Sequence, residues 1–188
     1  FSNLFSFSAG EYEGRQSAFT EKTINEVVRA SYEMGEVKTG ALIVIEQNVA
    51  LGEYVRTGIS IDGLVTSQLL INIFEHNTPL HDGAVIIRGN RIVSATCYLP
   101  LTDSMDIGKE LGTRHRAAVG ISEVSDSLTI IVSEETGAVS LAKDGRLYKH
   151  LQKEELVEKL QQLKVDDTGN ADVFKKWKDL LRNEKSEK

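Results

Sequence analysis

Cysteine and long apolar runs are scarce in this sequence, and each scarcity excludes a class of protein. Cys97 is the single cysteine among 188 residues, so neither a disulfide framework nor a thiolate-bound metal cluster can form within one chain. No apolar run approaches the roughly 20 residues that a membrane-spanning helix needs. The opening FSNLFSFSAG lacks the basic region of a signal peptide. We therefore expect a soluble chain with a buried, unreactive thiol.

Positive charge and aromatic side chains are also in short supply. The formal net charge is −6 and aromatic residues make up 6% of the chain. A surface of net negative charge repels polyanions, so we expect no nucleic-acid partner. A few arginines and backbone amides can still hold a small phosphorylated ligand. A composition that is 40% apolar and 27% charged is typical of a globular domain.

Helical and strand patterns alternate along the first half of the chain. TEKTINEVVRASYEMGE has helical spacing after a cap at Thr20, and TGALIVIE follows as a strand buried on both faces. SIDGLVTSQLLINIFEHN predicts a second helix, capped by Ser60 or Asp62. Two apolar strands then meet at Gly89-Asn90, a pair that favours a tight hairpin.

The second half continues the alternation. Thr113 is predicted to cap a helix through RHRAAVGISEVS. SLTIIVSEETGAVSLAKDGRLY predicts strands with turns at Gly137 and Asp144-Gly145, and KEELVEKLQQL predicts an amphipathic helix. The sequence thus predicts a single mixed α/β domain.

The stretch TPLHDGAVII places His81 and Asp82 directly before Gly83 and a strand. Imidazole and carboxylate are good ligands for divalent ions, and glycine lets a ligand approach the backbone. The same pattern also fits a turn made by Asp82 and a local hydrogen bond made by His81. A metal phosphohydrolase would need further His and Asp ligands on helices, whereas a strand follows here.

The stretch GTRHR places Arg114, His115 and Arg116 in the first turn of the predicted helix. The unpaired amides and the dipole of that turn attract phosphate. Arginine there opposes the helix dipole, which indicates a site for an anion unless both arginines simply pair with acidic residues. No P-loop or GxGxxG motif is present, so a P-loop NTPase or Rossmann enzyme lacks support.

Ser133, Glu134 and Glu135 follow the next predicted strand. They offer a hydroxyl to a phosphate and carboxylates to a metal, although alone they fit the end of a hairpin. Together the three segments supply metal ligands, anion donors and glycines. Enzymes of phosphoryl or nucleotidyl transfer use such groups to bind and stabilise the transferred phosphate.

At these residues the chain closely resembles the bacterial diadenylate cyclases, which make cyclic di-AMP from two ATP molecules. The family's motifs stand here as Asp82-Gly83-Ala84 and Arg114-His115-Arg116, and the similarity runs from near Thr20 to about Leu163. The surrounding sequence is similar to the membrane-tethered CdaA-type branch. The resemblance implies a DisA_N-like α/β domain with a mixed central β-sheet flanked by helices. It also implies one ATP per protomer and an active site completed when two protomers of a homodimer meet face to face.

The resemblance also implies roles for individual residues and a divalent metal cofactor, Mn²⁺, Mg²⁺ or Co²⁺. The implied catalytic residues are Asp82, Arg114, His115 and Arg116. The implied metal ligands are His81, Asp82 and Glu135. The implied ATP-binding residues are Gly83, Ala84, Tyr98, Leu99, Thr113, Arg114 and Ser133.

On this interpretation residues 18–164 form the catalytic domain. Residues 1–17 would be the remnant of a linker from an upstream membrane region, because the chain begins at Phe1 rather than methionine. Residues 165–188 would be a tail with room for a short helix around Trp177. The domain would then lie in the cytoplasm, tethered to the inner face of the membrane through the missing segment. The sequence names no regulator.

Two other functions compete with the cyclase. A non-catalytic nucleotide sensor of the same fold would keep the arginines but would not need Asp82. A metal phosphohydrolase using His81 and Asp82 would release ADP, AMP or phosphate from ATP and no cyclic dinucleotide. Because Asp82 is present together with both arginines of the second motif, the sequence favours the enzyme that makes cyclic di-AMP.

Overall fold

The structure is a computed structural model that describes residues 19–104 and 111–163. The helices are α1 Glu21–Glu36, α2 Gly52–Val55, α3 Ser67–Phe74, α4 Thr113–Val124 and α5 Lys153–Gln161. The strands are β1 Ala41–Ile45, β2 Ile59–Leu64, β3 Ala84–Arg88, β4 Arg91–Cys97, β5 Leu128–Val132, β6 Val139–Lys143 and β7 Arg146–Tyr148. The predicted amino-terminal segment and the tail helix near Trp177 lie outside the described residues.

The strands form one seven-stranded sheet in the order β2-β4-β3-β1-β5-β6-β7. β1 is parallel to β3, and the other neighbouring pairs are antiparallel. Ile43 of β1 lies opposite Val85 of β3, and Ala41 lies opposite Val132 of β5. The predicted mixed sheet flanked by helices is therefore confirmed.

Helices cover both faces of the sheet. Successive side chains of a strand point to opposite faces, and in β1 the whole run is buried. Ile43 belongs to a core shared with α1, α3 and α5, through residues such as Ile24 and Leu70. Val44 belongs to a second core under α4, where Ala118 is also fully buried. Each fully buried Ile or Leu side chain contributes roughly 2 kcal/mol to folding.

The first predicted helix is confirmed, and the start of the second was predicted wrongly. Thr20 Oγ1 accepts a hydrogen bond of 3.2 Å from the Thr23 amide, as its predicted capping role requires. Residues predicted to begin the second helix form the edge strand β2 instead, and α3 is capped by Thr66, whose Oγ1 accepts from the Leu69 amide at 3.2 Å. The exposure of β2 alternates along its length, which is the signature of a half-buried strand.

The predicted turns and the buried thiol are found in the structure. Asp144 and Gly145 join β6 to β7 with φ of 50° and 71°, as a two-residue hairpin turn of type I′ requires. Cys97 is buried, and burial raises the pKa of its thiol. Among the described residues, no helix combines the length and apolar character needed to cross a bilayer.

Candidate active site

The register of the sheet brings the predicted site segments to one end of the molecule. Gly83 directly precedes β3, Gly40 directly precedes β1, and Ser133 directly follows β5. Because β1 is parallel to β3 and antiparallel to β5, these three strand ends are neighbours. The segments that carry Asp82 and Ser133 therefore flank the start of β1, two strand spacings or roughly 10 Å apart.

A cleft of about 300 Å³ opens at this end of the sheet. Its walls are the first turn of α4, the turn between β5 and β6, and the segment that follows β7. The lining comprises residues 111–115, 132–136, Ala138, Ser140 and 149–150. Of the predicted site residues, the cleft unites Thr113, Arg114, His115, Ser133 and Glu135.

The amino terminus of α4 forms one wall of the cleft, and its cap differs from the predicted one. Gly112 is the N-cap, in extended conformation and without a side-chain capping bond, and Thr113 is the first helical residue. Thr113 is thus not the cap. Because no side chain satisfies the first-turn amides, they are available to an anion in the cleft.

Arg114 reaches from this turn across the end of the sheet. Its Nη1 lies 2.6 Å from Glu134 Oε2, and its side chain is 22% exposed. The pair packs on Gly40, where an added β-carbon would lie 2.7 Å from Arg114 Nη1 and 3.0 Å from Glu134 Oε2. The part played by Gly40 was not predicted, because the contact joins segments that are remote in sequence. Glu134 was expected to offer its carboxylate to a metal, and in the structure it pairs with Arg114, as the alternative interpretation of the arginines allowed.

His115 is partly buried in the cleft. Burial lowers the pKa of its imidazole first, and the positive charge of Lys149 lowers it further, whereas Glu135 opposes this shift. The ring is therefore neutral near pH 7. A neutral imidazole can donate one hydrogen bond to a ligand without bringing a charge into the buried site.

Ser133 makes the turn after β5 and keeps a donor for a ligand. Its Oγ accepts from the amides of Glu135 and Thr136, at 3.3 Å and 3.2 Å. A hydroxyl that accepts in this way still has its own proton to donate. The predicted contact between this hydroxyl and a phosphate is therefore compatible with the turn.

Arg116 does not line the cleft. Its Nη2 donates to the Thr102 carbonyl at 2.9 Å, and its own carbonyl accepts from the Thr102 amide at 3.1 Å. Successive helical residues are rotated by about 100°, so Arg114 and Arg116 point to nearly opposite sides of α4. The side chain joins α4 to Thr102, and the catalytic role that the resemblance implies for Arg116 stays a prediction.

His81 and Asp82 precede β3 and are not part of the cleft lining. His81 Nδ1 lies 2.6 Å from the Thr78 carbonyl oxygen, which can only accept, so Nδ1 donates this bond and Nε2 is the ring nitrogen that remains for a ligand. Asp82 is exposed. An imidazole nitrogen beside a carboxylate is a donor set that suits Mn²⁺, Mg²⁺ or Co²⁺.

The three predicted metal ligands do not assemble within one protomer. In the described ranges, no group of three or more His, Cys, Asp or Glu side chains is placed to hold a metal ion. The reason lies in the sheet order, since β1 separates the strand that follows His81 and Asp82 from the strand that precedes Glu135.

The backbone conformation and the close packing of the sheet both require glycine at position 83. Its φ is 105°, and an added β-carbon would lie 2.8 Å from the Thr96 carbonyl carbon. Thr96 lies where the register between β3 and β4 shifts, with φ of 55°, as in a β-bulge. Ala84 is fully buried in the core beneath α4. Both residues are small because the backbone and core leave no space for larger ones.

Tyr98 and Leu99 continue from β4 at the same end of the sheet. Tyr98 is 74% exposed, and its amide donates to Thr57 Oγ1 at 2.9 Å. Leu99 packs against the core beneath α4. The exposed phenol ring is available to a ligand or to a second protein chain, whereas Leu99 is held by the fold.

Several known proteins are similar to this chain in sequence and in fold. The DAC family, described as DisA bacterial checkpoint controller nucleotide-binding, matches residues 28–147. The chain is 58% identical over 141 residues to the cyclic di-AMP synthase CdaA of Bacillus subtilis, covering 75% of this chain and 52% of that protein. It is 51% identical over 177 residues to a diadenylate cyclase of Listeria monocytogenes, covering 94% of this chain and 63% of that protein.

A solved structure agrees with these sequence relationships. A double mutant of DacA from Staphylococcus aureus has a TM-score of 0.74 and 51% sequence identity, over 76% of this chain and 95% of that chain. The chain spans about half to two thirds of the length of the two curated relatives. The family match includes both motifs, the cleft residues of α4 and the turn after β5. The chain therefore belongs to the DAC family of bacterial diadenylate cyclases, with relatives of the CdaA type.

Proposed function

We propose that the chain is the catalytic part of a diadenylate cyclase that condenses two ATP molecules into cyclic di-AMP and two pyrophosphates. One observation carries the proposal: Arg114, the uncapped first turn of α4 and the Ser133 hydroxyl meet in a cleft at the end of the sheet where Asp82 lies. The relatives named as diadenylate cyclase and cyclic di-AMP synthase support the same activity.

The cleft accounts for binding of the triphosphate. The first-turn amides of α4 and the Ser133 hydroxyl donate to phosphate oxygens. Arg114 adds a positive charge on a side chain that Glu134 already orders, so less conformational entropy is lost when phosphate binds. Neutral His115 donates a further hydrogen bond. These groups also face the charge that builds on the phosphate during the reaction.

The reaction joins the two nucleotides symmetrically. The 3′-oxygen of each ATP forms a bond to the α-phosphorus of the other, while the bond from that phosphorus to the bridging oxygen breaks and pyrophosphate leaves. Asp82 accepts the proton of the 3′-hydroxyl. Its exposed carboxylate makes no ion pair or hydrogen bond in the described residues, so its oxygen lone pairs are available for this proton. A divalent ion held by His81 and Asp82 would supply Lewis-acid stabilisation of phosphate charge.

Two protomers are required in this mechanism. A single chain keeps Asp82 about two strand spacings from the segment that carries Ser133 and Glu135, and its predicted metal ligands do not meet. A face-to-face homodimer brings the Asp82 side of one protomer to the phosphate cleft of its partner. The second phosphodiester bond forms by the same contacts related by the two-fold axis.

The remaining assignments follow from the order of the strands. Tyr98 and Leu99, at the end of β4, would contact adenine, with Gly83 and Ala84 allowing close approach of the nucleoside to β3. Arg116 would act as a positioning residue through Thr102. We also propose that residues 18–164 are the catalytic unit and that the complete protein is tethered at the cytoplasmic face of the membrane, as in the branch that the sequence resembles.

The activity is tested by incubating the chain with ATP and Mn²⁺ and identifying the products by mass spectrometry. Cyclic di-AMP and pyrophosphate are expected, with loss of at least a hundredfold in rate in Asp82→Asn, since a positioned base contributes about 10²–10⁴. Release of ADP, AMP or phosphate without the cyclic product would indicate a phosphohydrolase. ATP that binds and stays intact would indicate a sensor.

A further inference from the structure

Lys149 and His150 line the cleft beside the motif residues, and the account above gives neither of them a contact with ATP. They follow β7 directly and lie beyond residues 28–147, the part of the chain that matches the family. Both side chains are exposed. We infer that Lys149 and His150 form the subsite that holds the terminal phosphates of ATP and then the departing pyrophosphate. This inference rests on the proposed function.

The charge balance of the cleft supports this subsite. Among the described residues that line the cleft, Arg114 is the one arginine, and Glu134 and Glu135 oppose it with two carboxylates. The positive charge of Arg114 is already engaged by Glu134 at 2.6 Å. A triphosphate that met this set alone would enter a cleft of net negative charge. Lys149 supplies the cation that offsets the second carboxylate, and His150 supplies a further N–H donor.

The order of the strands places the subsite at the correct distance from the nucleoside. Along the end of the sheet the order is β4, β3, β1, β5, β6 and β7. Adenine contacts at Tyr98, the ribose near Asp82 and the phosphates near Ser133 therefore run in one direction. Lys149, after β7, comes last in this series. Four strand spacings from β3 to β7 measure roughly 19 Å, a span that extended ATP and a lysine side chain cover together.

The backbone of the segment is fixed on both sides, so its side chains are presented from a defined position. Before it, Tyr148 pairs with Leu141 in the sheet, and Lys159 Nζ lies 4.2 Å from the centre of the Tyr148 ring. After it, the Leu151 amide donates to the Val139 carbonyl at 2.9 Å, and the Leu151 carbonyl accepts from the Tyr32 hydroxyl at 2.8 Å.

His150 completes this turn in the left-handed region, with φ of 56°. Only a minority of non-glycine residues adopt that conformation. The imidazole lines the same cleft as His115. Lys149 and His150 therefore lie on a short segment whose backbone is held on both sides. Their side chains line the cleft together with the residues proposed to bind the α-phosphate and its neighbours.

The test compares ligands that differ only in their terminal phosphates. 3′-Deoxy-ATP and 3′-deoxy-AMP lack the attacking hydroxyl, so both bind without reacting, and calorimetry with the same Mg²⁺ concentration measures each dissociation constant. In Lys149→Gln we expect about tenfold weaker binding of 3′-deoxy-ATP and less than a twofold change for 3′-deoxy-AMP. His150→Asn, which tolerates the positive φ, should weaken only the triphosphate ligand, by about threefold.

Lys153→Gln is the matched control. Lys153 is exposed, carries the same charge and begins α5 outside the cleft, so its loss should change neither dissociation constant. Equal weakening of both ligands in Lys149→Gln, or no weakening of either, would overturn the subsite. So would an unaltered chain that binds the two ligands equally well. The product assay on the unaltered chain is separate, so cyclic di-AMP formation together with unchanged triphosphate binding in Lys149→Gln would overturn this inference alone.

Discussion

Gly40 and Arg114 are in direct contact at the end of the sheet, and the absence of a side chain on Gly40 gives the guanidinium its place. An added β-carbon would lie 2.7 Å from Nη1 of Arg114 and 3.0 Å from Oε2 of Glu134. Gly40 precedes β1, which lies between β3 and β5 in the sheet. Because Gly40 has no side chain, the Arg114 guanidinium can lie against it at the end of the sheet that carries the candidate active site.

Gly40→Ala should reduce activity more than stability. The methyl group displaces the tips of two flexible side chains rather than backbone, so the fold can adjust while Arg114 moves away from the phosphates. We expect at least a tenfold fall in cyclic di-AMP formation and a melting temperature within about 3 °C of the unaltered chain. Gly52→Ala is the control, since its β-carbon would meet only Arg56 Nη1, at 3.8 Å. Full activity in Gly40→Ala would contradict the assigned position of Arg114.

Gly83→Ala should lose activity through the fold. The position combines φ of 105° with a β-carbon contact of 2.8 Å to the backbone of Thr96, and backbone cannot yield as a side chain does. We expect a loss of about 2 kcal/mol or more in the free energy of unfolding, measured by urea denaturation. A variant as stable as the unaltered chain would show that Gly83 serves the ligand instead.

Alanine substitutions of Arg114 and Arg116 should differ in their effects on stability and on activity. Arg116→Ala removes the hydrogen bond to the Thr102 carbonyl and should lower the free energy of unfolding by about 1.5 kcal/mol. Arg114→Ala breaks only the ion pair with a half-exposed Glu134, which contributes little to stability, yet should abolish most activity. Urea denaturation and the product assay on both variants measure this difference; equal stability of the two variants would contradict it.

The Glu26 carboxylate should make the free energy of unfolding depend on pH in the acidic range. Its carboxylate accepts from the Ser67 amide at 2.6 Å, and this hydrogen bond lowers the pKa of the carboxyl in the folded chain. Because the folded pKa lies below the unfolded one, the stabilisation is present above the ordinary carboxyl range and is lost as pH falls through the folded pKa. Glu26→Gln should therefore cost about 1 kcal/mol at pH 7, and the cost should shrink as pH falls through the folded pKa, measured by urea denaturation at a series of pH values. A cost independent of pH would contradict this.

Local patterns in the sequence predicted most of the fold. Helical spacing after Thr20 and the turn residues Asp144 and Gly145 act within a few positions of themselves, and the structure has both features as predicted. The start of α3 was misplaced because Ser60, Asp62 and Thr66 all have side chains able to cap a helix. The choice of Thr66 depends on pairing between β2 and β4, which is a non-local contact.

The candidate site was predictable only where a motif marks it. Both motifs were identified from the sequence, but the two arginines of the second motif were assigned to one site, whereas the helical rotation points Arg114 and Arg116 apart. Gly40 and Lys149 have no such signal, because the contact of Gly40 with Arg114 and the place of Lys149 in the cleft depend on the sheet register and on the turn after β7. Glu134 was noticed only as a carboxylate for a metal, and its pairing with Arg114 depends on the same register. The separation of His81 and Asp82 from Glu135 likewise follows from the order of strands.

The requirement for two protomers is the central claim, and the rate of cyclic di-AMP formation per protomer tests it most directly. The rate is measured with saturating ATP and Mn²⁺ over a series of protein concentrations, and sedimentation gives the fraction of dimer at each. We predict that the rate per protomer rises with that fraction and vanishes where the chain is monomeric. A constant rate across the dissociation range, or no cyclic di-AMP from a fully dimeric chain, would contradict the account.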